Sequence, residues 1–248
     1  MEKIVETTDE WILKRTGISE RRILEEGKPI YSMAVEAAKQ ALIDSGVSPK
    51  EIDLILVTTS TPDYLTPNTS CIVQKEIGAE NAAAFDLVAA CSGFIYGMTV
   101  AQQFIETGYY QNVLLVSSEG MSKAIDWQDR KNCVLFGDGA GAVVLGKVEK
   151  GYGILSTYIG SDGAAGESIT IPCLYMPNEE LEKRKNFKNK ASIWQDGQEV
   201  FKFAVKIMPM ATEEVIKKTD VKLEDIRYII PHQANMRILQ SVRQRLGI

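Results

Sequence analysis

The chain has a single histidine, His232, and four cysteines at positions 71, 91, 133 and 173, with no C-x-x-C pair among its 248 residues. One imidazole leaves too few ligands for a zinc cluster, and no metal is expected. The simplest reading of the thiols is that they are free, in a reducing cytoplasm. Positive charge is also short. There are 28 lysines and arginines against 33 acidic residues, a net charge of -5. That argues against nucleic acid as a general partner and leaves an acidic partner only a local basic patch. The N-terminus, MEKIVETTDE, lacks the basic and then apolar order of a signal peptide, so nothing there directs export. Leu87 to Ile105 lacks any charge and is about long enough to span a bilayer. Ser92, Gly93, Gly97, Thr99, Gln102 and Gln103 would lie round every face of such a helix, so it reads as buried in protein, and no membrane is expected as a partner. The remainder, 45% hydrophobic and 25% charged, is the composition of an ordinary globular protein able to bury a core.

Ser32 to Ser45 has apolar residues at helical spacing, a serine at its start and Gly46 beyond its end, which predicts a helix. The run Leu54 to Val57 that follows reads as a buried parallel strand. Much later, Phe203 to Lys218 is again helical and leads to Tyr228 to Ile230, a second strand candidate. Val47 and Ile52 stand five apart, as do Val221 and Ile226, each pair followed by one of these runs. The pattern predicts an internal duplication in α/β architecture. The first half covers about 1–150, with further strands at Ala83 to Asp86, Val113 to Ser117 and Ala142 to Leu145. The second covers about 151–248 and opens with a strand in GYGILSTYIGSDG (151–163). Only 18 residues follow Ile230, so the second copy is expected to stop mid-repeat, and no strand opens the first. The polar, basic stretch 179–191 between the copies reads as an insertion or loop.

Cys91 falls where strand-like AAAFDLVAAC meets helix-like CSGFIYGMTVAQQFIETG. A helix N-terminus favours thiolate over thiol, and Gly93 permits close approach of a ligand or another backbone. Against this, most free cysteines only pack. The one base available to such a nucleophile is His232, in IIPHQANMRI just past the second strand candidate. Ligands of parallel α/β sheets gather beyond the carboxyl ends of strands, so the two side chains are expected to converge. The glycine segment FGDGAGAVVLG (136–146) lacks the helix that a dinucleotide fingerprint requires and is read as a tight turn feeding a strand.

Several blocks, in order, make the chain resemble the β-ketoacyl-acyl-carrier-protein synthase III family: TTDEWILKRTGISERRI (7–23), FDLVAACSGFIYG (85–97), Asp129 with Arg130, FGDGAGAVVL (136–145), DGQEVFK (196–202) and PHQANMRI (231–238). The resemblance implies the thiolase fold, two similar halves forming one unit over 1–248 as a five-layer sandwich. It implies that Cys91 takes an acetyl group from acetyl-CoA as a thioester. His232 then helps bind the malonyl thioester carbonyl as CO2 leaves, and the carbanion attacks the acyl-enzyme. By the same resemblance Trp11 and Arg130 sandwich the CoA adenine, Thr7 and Arg15 make other CoA contacts, and Asn235 lies near the pantetheine arm. Lys202, Arg237 and Arg245 form a basic patch for an acidic carrier protein. Leu65 and Thr66 are candidates for a primer pocket partly supplied by a dimer partner. No permanently bound cofactor is implied; acyl-CoA is substrate. Without the resemblance, Trp11 reads as core and the arginines as solvated.

The family's third catalytic residue, an asparagine, and a glycine N–H of its oxyanion hole would lie beyond Ile248, so the chain reads as lacking segments at both ends. Two other readings follow. One is a related condensing enzyme, a polyketide-starter or 3-hydroxy-3-methylglutaryl-CoA-synthase-like protein. The other is a catalytically silent thiolase-fold fragment.

Overall fold

The computed structural model describes residues 1–173, 177, 179 and 192–248. In chain order the elements are α1 (Asp9–Thr16), α2 (Tyr31–Ser45), β1 (Leu54–Thr58), α3 (Thr69–Ile77), β2 (Ala83–Leu87), α4 (Gly93–Glu106), β3 (Asn112–Gly120), β4 (Asp138–Gly146), β5 (Ile169–Thr170), β6 (Trp194–Gln195), α5 (Gly197–Lys217) and α6 (Met236–Leu246). They form two compact units interleaved in sequence. One comprises Arg22–Met121 and Gly137–Thr157; the other comprises Met1–Arg21, Ser122–Phe136 and Tyr158–Ile248.

The first of these units is built on a sheet of order β2-β1-β3-β4. β1 pairs parallel with both β2 and β3, and β4 runs antiparallel to β3. β1 is buried along its whole length, which is why Leu54 to Val57 is an unbroken apolar run rather than an alternating one. Ile55 and Val57, with Leu114 and Val116, pack among Ala34, Ala38 and Leu42 of α2 and Val73 and Ile77 of α3. Leu54 and Leu56, with Val113 and Leu115, pack against Phe94, Met98 and Ala101 of α4. The alternation that assigns these residues to two faces therefore dictates which helix covers which side. α4 lies unusually close: a Cβ at Gly97 would stand 2.5 Å from Leu115 Cδ1, so only glycine fits there.

In the other unit α5 and α6 pack through Ala204, Val205, Ile238 and Val242. Each has a side-chain N-cap. Asp196 accepts from the Gln198 and Glu199 N–H groups, and Asn235 accepts from the Ile238 N–H. α1 carries Thr8 as its N-cap, acidic residues in its first turn and basic ones in its last, and ends at Gly17 with φ 76°. A Cβ on Gly17 would come 3.0 Å from Met236 Cβ, which brings the end of α1 against the start of α6. Asn132, buried, accepts from Gln195 Nε2 at 2.7 Å and donates to Asp129 at 2.7 Å, tying β6 to the 129–132 turn.

Three expectations need correction. Tyr228 to Ile230 is not a strand: nothing among the described residues pairs with it, and Tyr228 and Ile230 are 71% and 87% exposed. Strand identity requires a ladder, which composition does not supply. The segment 151–163 likewise joins no ladder. The glycine segment is not a turn before a strand but part of one: β4 begins at Asp138, and Gly139 and Gly141 pair with Glu119 and Ser117. The 179–191 stretch lies, apart from Glu179, outside the described residues.

Candidate active site

Cys91 sits in a single 3-10 turn, Ala90–Ser92, between the end of β2 and the start of α4. The turn is reached through Ala90 at φ 45°, the one non-glycine residue with positive φ among those described. Such a conformation costs on the order of 1 kcal/mol or more and persists where the surroundings over-determine it. Below the turn, Gly93 rests on Thr58, whose hydroxyl hydrogen-bonds that of Ser117. The thiol's turn thereby sits past the carboxyl ends of β1 and β2, beside the last residues of β3, and Cys91 is exposed.

Its acidity is not what the helix N-terminus alone predicts. Desolvation pushes the Cys91 thiol up, the Glu119 carboxylate pushes it further, and its own backbone N–H pulls the other way. The residue has exposed surface while its sulfur is ringed by protein, and the ring decides the direction. Glu119, near the end of β3, went unnoticed in the sequence, where nothing local marks it. Burial raises its own pKa, against hydrogen bonds from Thr61 and Ser60.

In the other unit, Trp11, Arg15, Arg130, Asn235, Lys202 and Arg237 line one cavity of about 650 Å³. Trp11 and Arg15 share a face of α1 because they are four residues apart. The guanidinium carbons of Arg15 and Arg130 lie 5.2 and 5.1 Å from the Trp11 ring centroid. Arg130 Nη1 also donates to the Glu6 carbonyl at 2.8 Å. Lys131, Gln198 and Phe201 also line the cavity and were not foreseen; no carboxylate is among the lining residues. A flat aromatic ring under guanidinium planes, within a set of cations, suits a ligand that joins a planar base to phosphates. Lys202 is paired with Glu199 at 2.7 Å.

The remaining candidates are placed as follows. Thr7 is not in the cavity wall, and its hydroxyl is buried without a hydrogen-bond partner. Arg245 lies exposed in the last turn of α6, away from the residues that line the cavity. Asn235 both lines the cavity and caps α6. His232 stands in the loop before α6 and is absent from the cavity wall; the residue has exposed surface, yet the protein around its ring desolvates it enough to push the imidazole pKa down, which favours the neutral ring. Leu65 is exposed, as is Thr66 beside it. No helix among the described residues is long and apolar enough to cross a membrane, and no group of His, Cys, Asp and Glu among them is arranged to hold a metal.

Residues 85–163 match the family described as 3-Oxoacyl-[acyl-carrier-protein (ACP)] synthase III, and residues 216–248 match that described as its C terminal. The β-ketoacyl-ACP synthase III of Caldanaerobacter subterraneus subsp. tengcongensis is 52% identical over 252 residues, spanning 100% of this chain and 75% of that protein. The crystal structure of the Aquifex aeolicus 3-oxoacyl-ACP synthase III superposes with a TM-score of 0.90 at 44% identity, covering 100% of this chain and 75% of that one. The priming β-ketosynthase of the R1128 polyketide pathway gives a TM-score of 0.90 at 37% identity, covering 99% and 72%.

Proposed function

Because the chain belongs to the β-ketoacyl-ACP synthase III family, with its thiolase-like fold, we propose that it condenses an acyl-CoA primer, acetyl-CoA first among them, with malonyl-acyl-carrier protein. The reaction releases CO2 and begins type II fatty acid synthesis. Cys91 attacks the primer thioester, the bond from the acyl carbon to the CoA sulfur breaks, and the thiol proton ends on CoA. Loss of CO2 from the malonyl group then gives an enolate whose carbon attacks the acyl-Cys91 carbonyl and frees the thiol. His232, its pKa lowered by partial desolvation, is suited to donate an N–H to the enolate oxygen.

The observation that carries this reading is the thiol on its strained 3-10 turn past the carboxyl ends of the parallel strands β1 and β2. The cation-lined cavity under Trp11 supports CoA as the acyl donor, with the adenine entering beside Trp11 and Arg130. Thr7, Arg15 and Asn235 belong to that binding. Lys202, Arg237 and Arg245 meet the acidic carrier protein. The protein acts in the cytoplasm as a homodimer. β2 is an edge strand among the described residues, and Val88 just past it, 74% exposed, is an apolar residue suited to that contact.

Intact-protein mass spectrometry after incubation with acetyl-CoA tests the reading. The parent gains one acetyl group, retained on the Cys91 peptide and discharged by malonyl-acyl-carrier protein, and Cys91→Ala gains none. Equal acetylation of parent and Cys91→Ala would overturn it.

A further inference from the structure

Along β3, Val113 and Leu115 face α4, while Leu114 and Val116 face α2 and α3. The same alternation turns Ser117 and Glu119 to the α4 side. The contacts of α4 confirm the direction of travel: Gly97 meets Leu115, and Gly93 meets Thr58, which is level with Ser117. Two residues before Gly93 comes Cys91, and two residues after Ser117 comes Glu119. The register therefore brings the thiol's turn and the Glu119 carboxylate to the same level above the sheet.

We propose that Glu119 is a positioning residue for Cys91, a fixed carboxylate that braces the turn at Ser60 and Thr61 and sets the charge facing the sulfur. The proposal rests on Cys91 being the acyl acceptor. The carboxylate is clamped: Oε1 accepts the Ser60 N–H at 2.8 Å, Oε2 accepts the Thr61 hydroxyl at 2.7 Å, and Thr61 Oγ1 accepts the Gly120 N–H at 2.8 Å. Its neighbour on β4 is Gly139, where an added Cβ would meet nothing within 4 Å. The other acids of the surrounding elements are engaged elsewhere. Asp138 of β4 accepts the Leu24 N–H, Asp86 of β2 accepts those of Thr69 and Ser70, and Asp63 accepts those of Ile30 and Tyr31.

Burial first, and Glu119 after it, raise the thiol pKa, so the resting residue is held as thiol. The physical benefit comes on acyl transfer. Sγ gains the acyl carbon, the CoA sulfur loses it and takes the proton, and no electrons are exchanged. The carboxylate opposes only the thiolate, the form in which Cys91 would leave if the thioester broke again; the neutral thiol and the thioester are not repelled. A thiol of higher pKa is also the poorer leaving group. Glu119 thus makes acyl-Cys91 slower to give up its acyl group through a departing thiolate.

The test is the pH profile of iodoacetamide labelling at Cys91, read by peptide mass spectrometry on the full chain. In Glu119→Gln the inflection moves to lower pH, and labelling at pH 7 rises roughly three- to tenfold. Thr61→Val, which loosens the same turn but keeps the charge, leaves the inflection in place. Glu119→Asp, the gentler change should Glu119→Gln fold poorly, shifts it in the same direction by less. Acetyl-Cys91, once formed, is discharged by added CoA faster in Glu119→Gln than in the parent. Superimposed profiles for parent, Glu119→Gln and Glu119→Asp overturn the proposal, as does an equal shift in Thr61→Val, which would make Glu119 a mere brace. The labelling profile needs no acyl transfer, so a shift without any acetylation would sink the proposed function and leave the coupling of Glu119 to Cys91 standing.

Discussion

Two stretches of the chain begin alike and end differently: Ser45 to Thr58 and Thr219 to His232. In both, a hydroxyl closes the preceding helix. Ser45 Oγ donates to the Leu42 carbonyl and accepts the Val47 N–H; Thr219 Oγ1 donates to the Ile216 carbonyl and accepts the Val221 N–H. In both, a 3-10 turn follows, with Glu51 bonding back to Ser48 and Asp225 to Lys222, and with Ile52 and Ile226 leaving it in extended conformation. There the likeness stops. Leu54 to Thr58 enters a ladder with β2 and β3 and is buried throughout. Tyr228 to Ile230 finds no ladder among the described residues, and Arg227 lies 5.3 Å over the Tyr228 ring instead. Local sequence carries a chain out of a helix and into extended conformation; neighbours decide whether that conformation becomes a strand.

The contrast can be broken at several points. The largest effect is expected in amide exchange. The Leu54 to Thr58 amides are protected at least about a thousandfold more than those of Tyr228 to Ile230, because the former open only with the whole unit. Comparable protection in hydrogen-exchange mass spectrometry would mean that the second stretch is paired after all. Next, Leu56→Ala costs about 2–5 kcal/mol in denaturant melts, since Leu56 is fully buried, whereas Ile230→Ala stays within about 0.5 kcal/mol. A smaller change sharpens the local half of the comparison. Ser48 and Glu51 form a reciprocal capping box, but Lys222 has no acceptor to return the bond that its own N–H makes with Asp225. Lys222→Ser completes the box and adds about 0.5–1 kcal/mol.

The last test compares Thr58 with His232, which end the two runs. Burial depresses the His232 pKa below its unfolded value, so the unfolded chain binds the extra proton first on acidification. Stability is therefore full above the unfolded pKa of about 6.5 and falls as the pH drops below it. Thermal melts between pH 8 and pH 5 should show this loss, and His232→Gln should flatten it; Thr58 has nothing to titrate in that range.

Much of the first unit was legible because its signals are short-range and mutually consistent. The apolar spacing of α2, Gly46 at its end and the unbroken run of β1 each named an element that exists. Trp11 and Arg130 were legible only through resemblance, because the two are 119 residues apart in the chain and meet through the packing of α1 against the 129–135 segment. Glu119 was not legible at all: its meaning depends on how the register of β3 aligns with the descent of α4, and no window of sequence contains both.

The sequence by itself determined the local grammar: the caps at Thr8, Asp196 and Asn235, the two 3-10 turns, the glycine at 97 that lets α4 sit down, and the thiol at a strand-to-helix junction. Such features arise from residues within a few positions of one another, where backbone geometry leaves little choice. Tertiary structure alone decided which extended segment became a strand, which cations gathered around Trp11, and in which direction the thiol's acidity moved. Ladder bonds, cavity walls and electrostatic fields are set by groups that are near in space and distant in sequence.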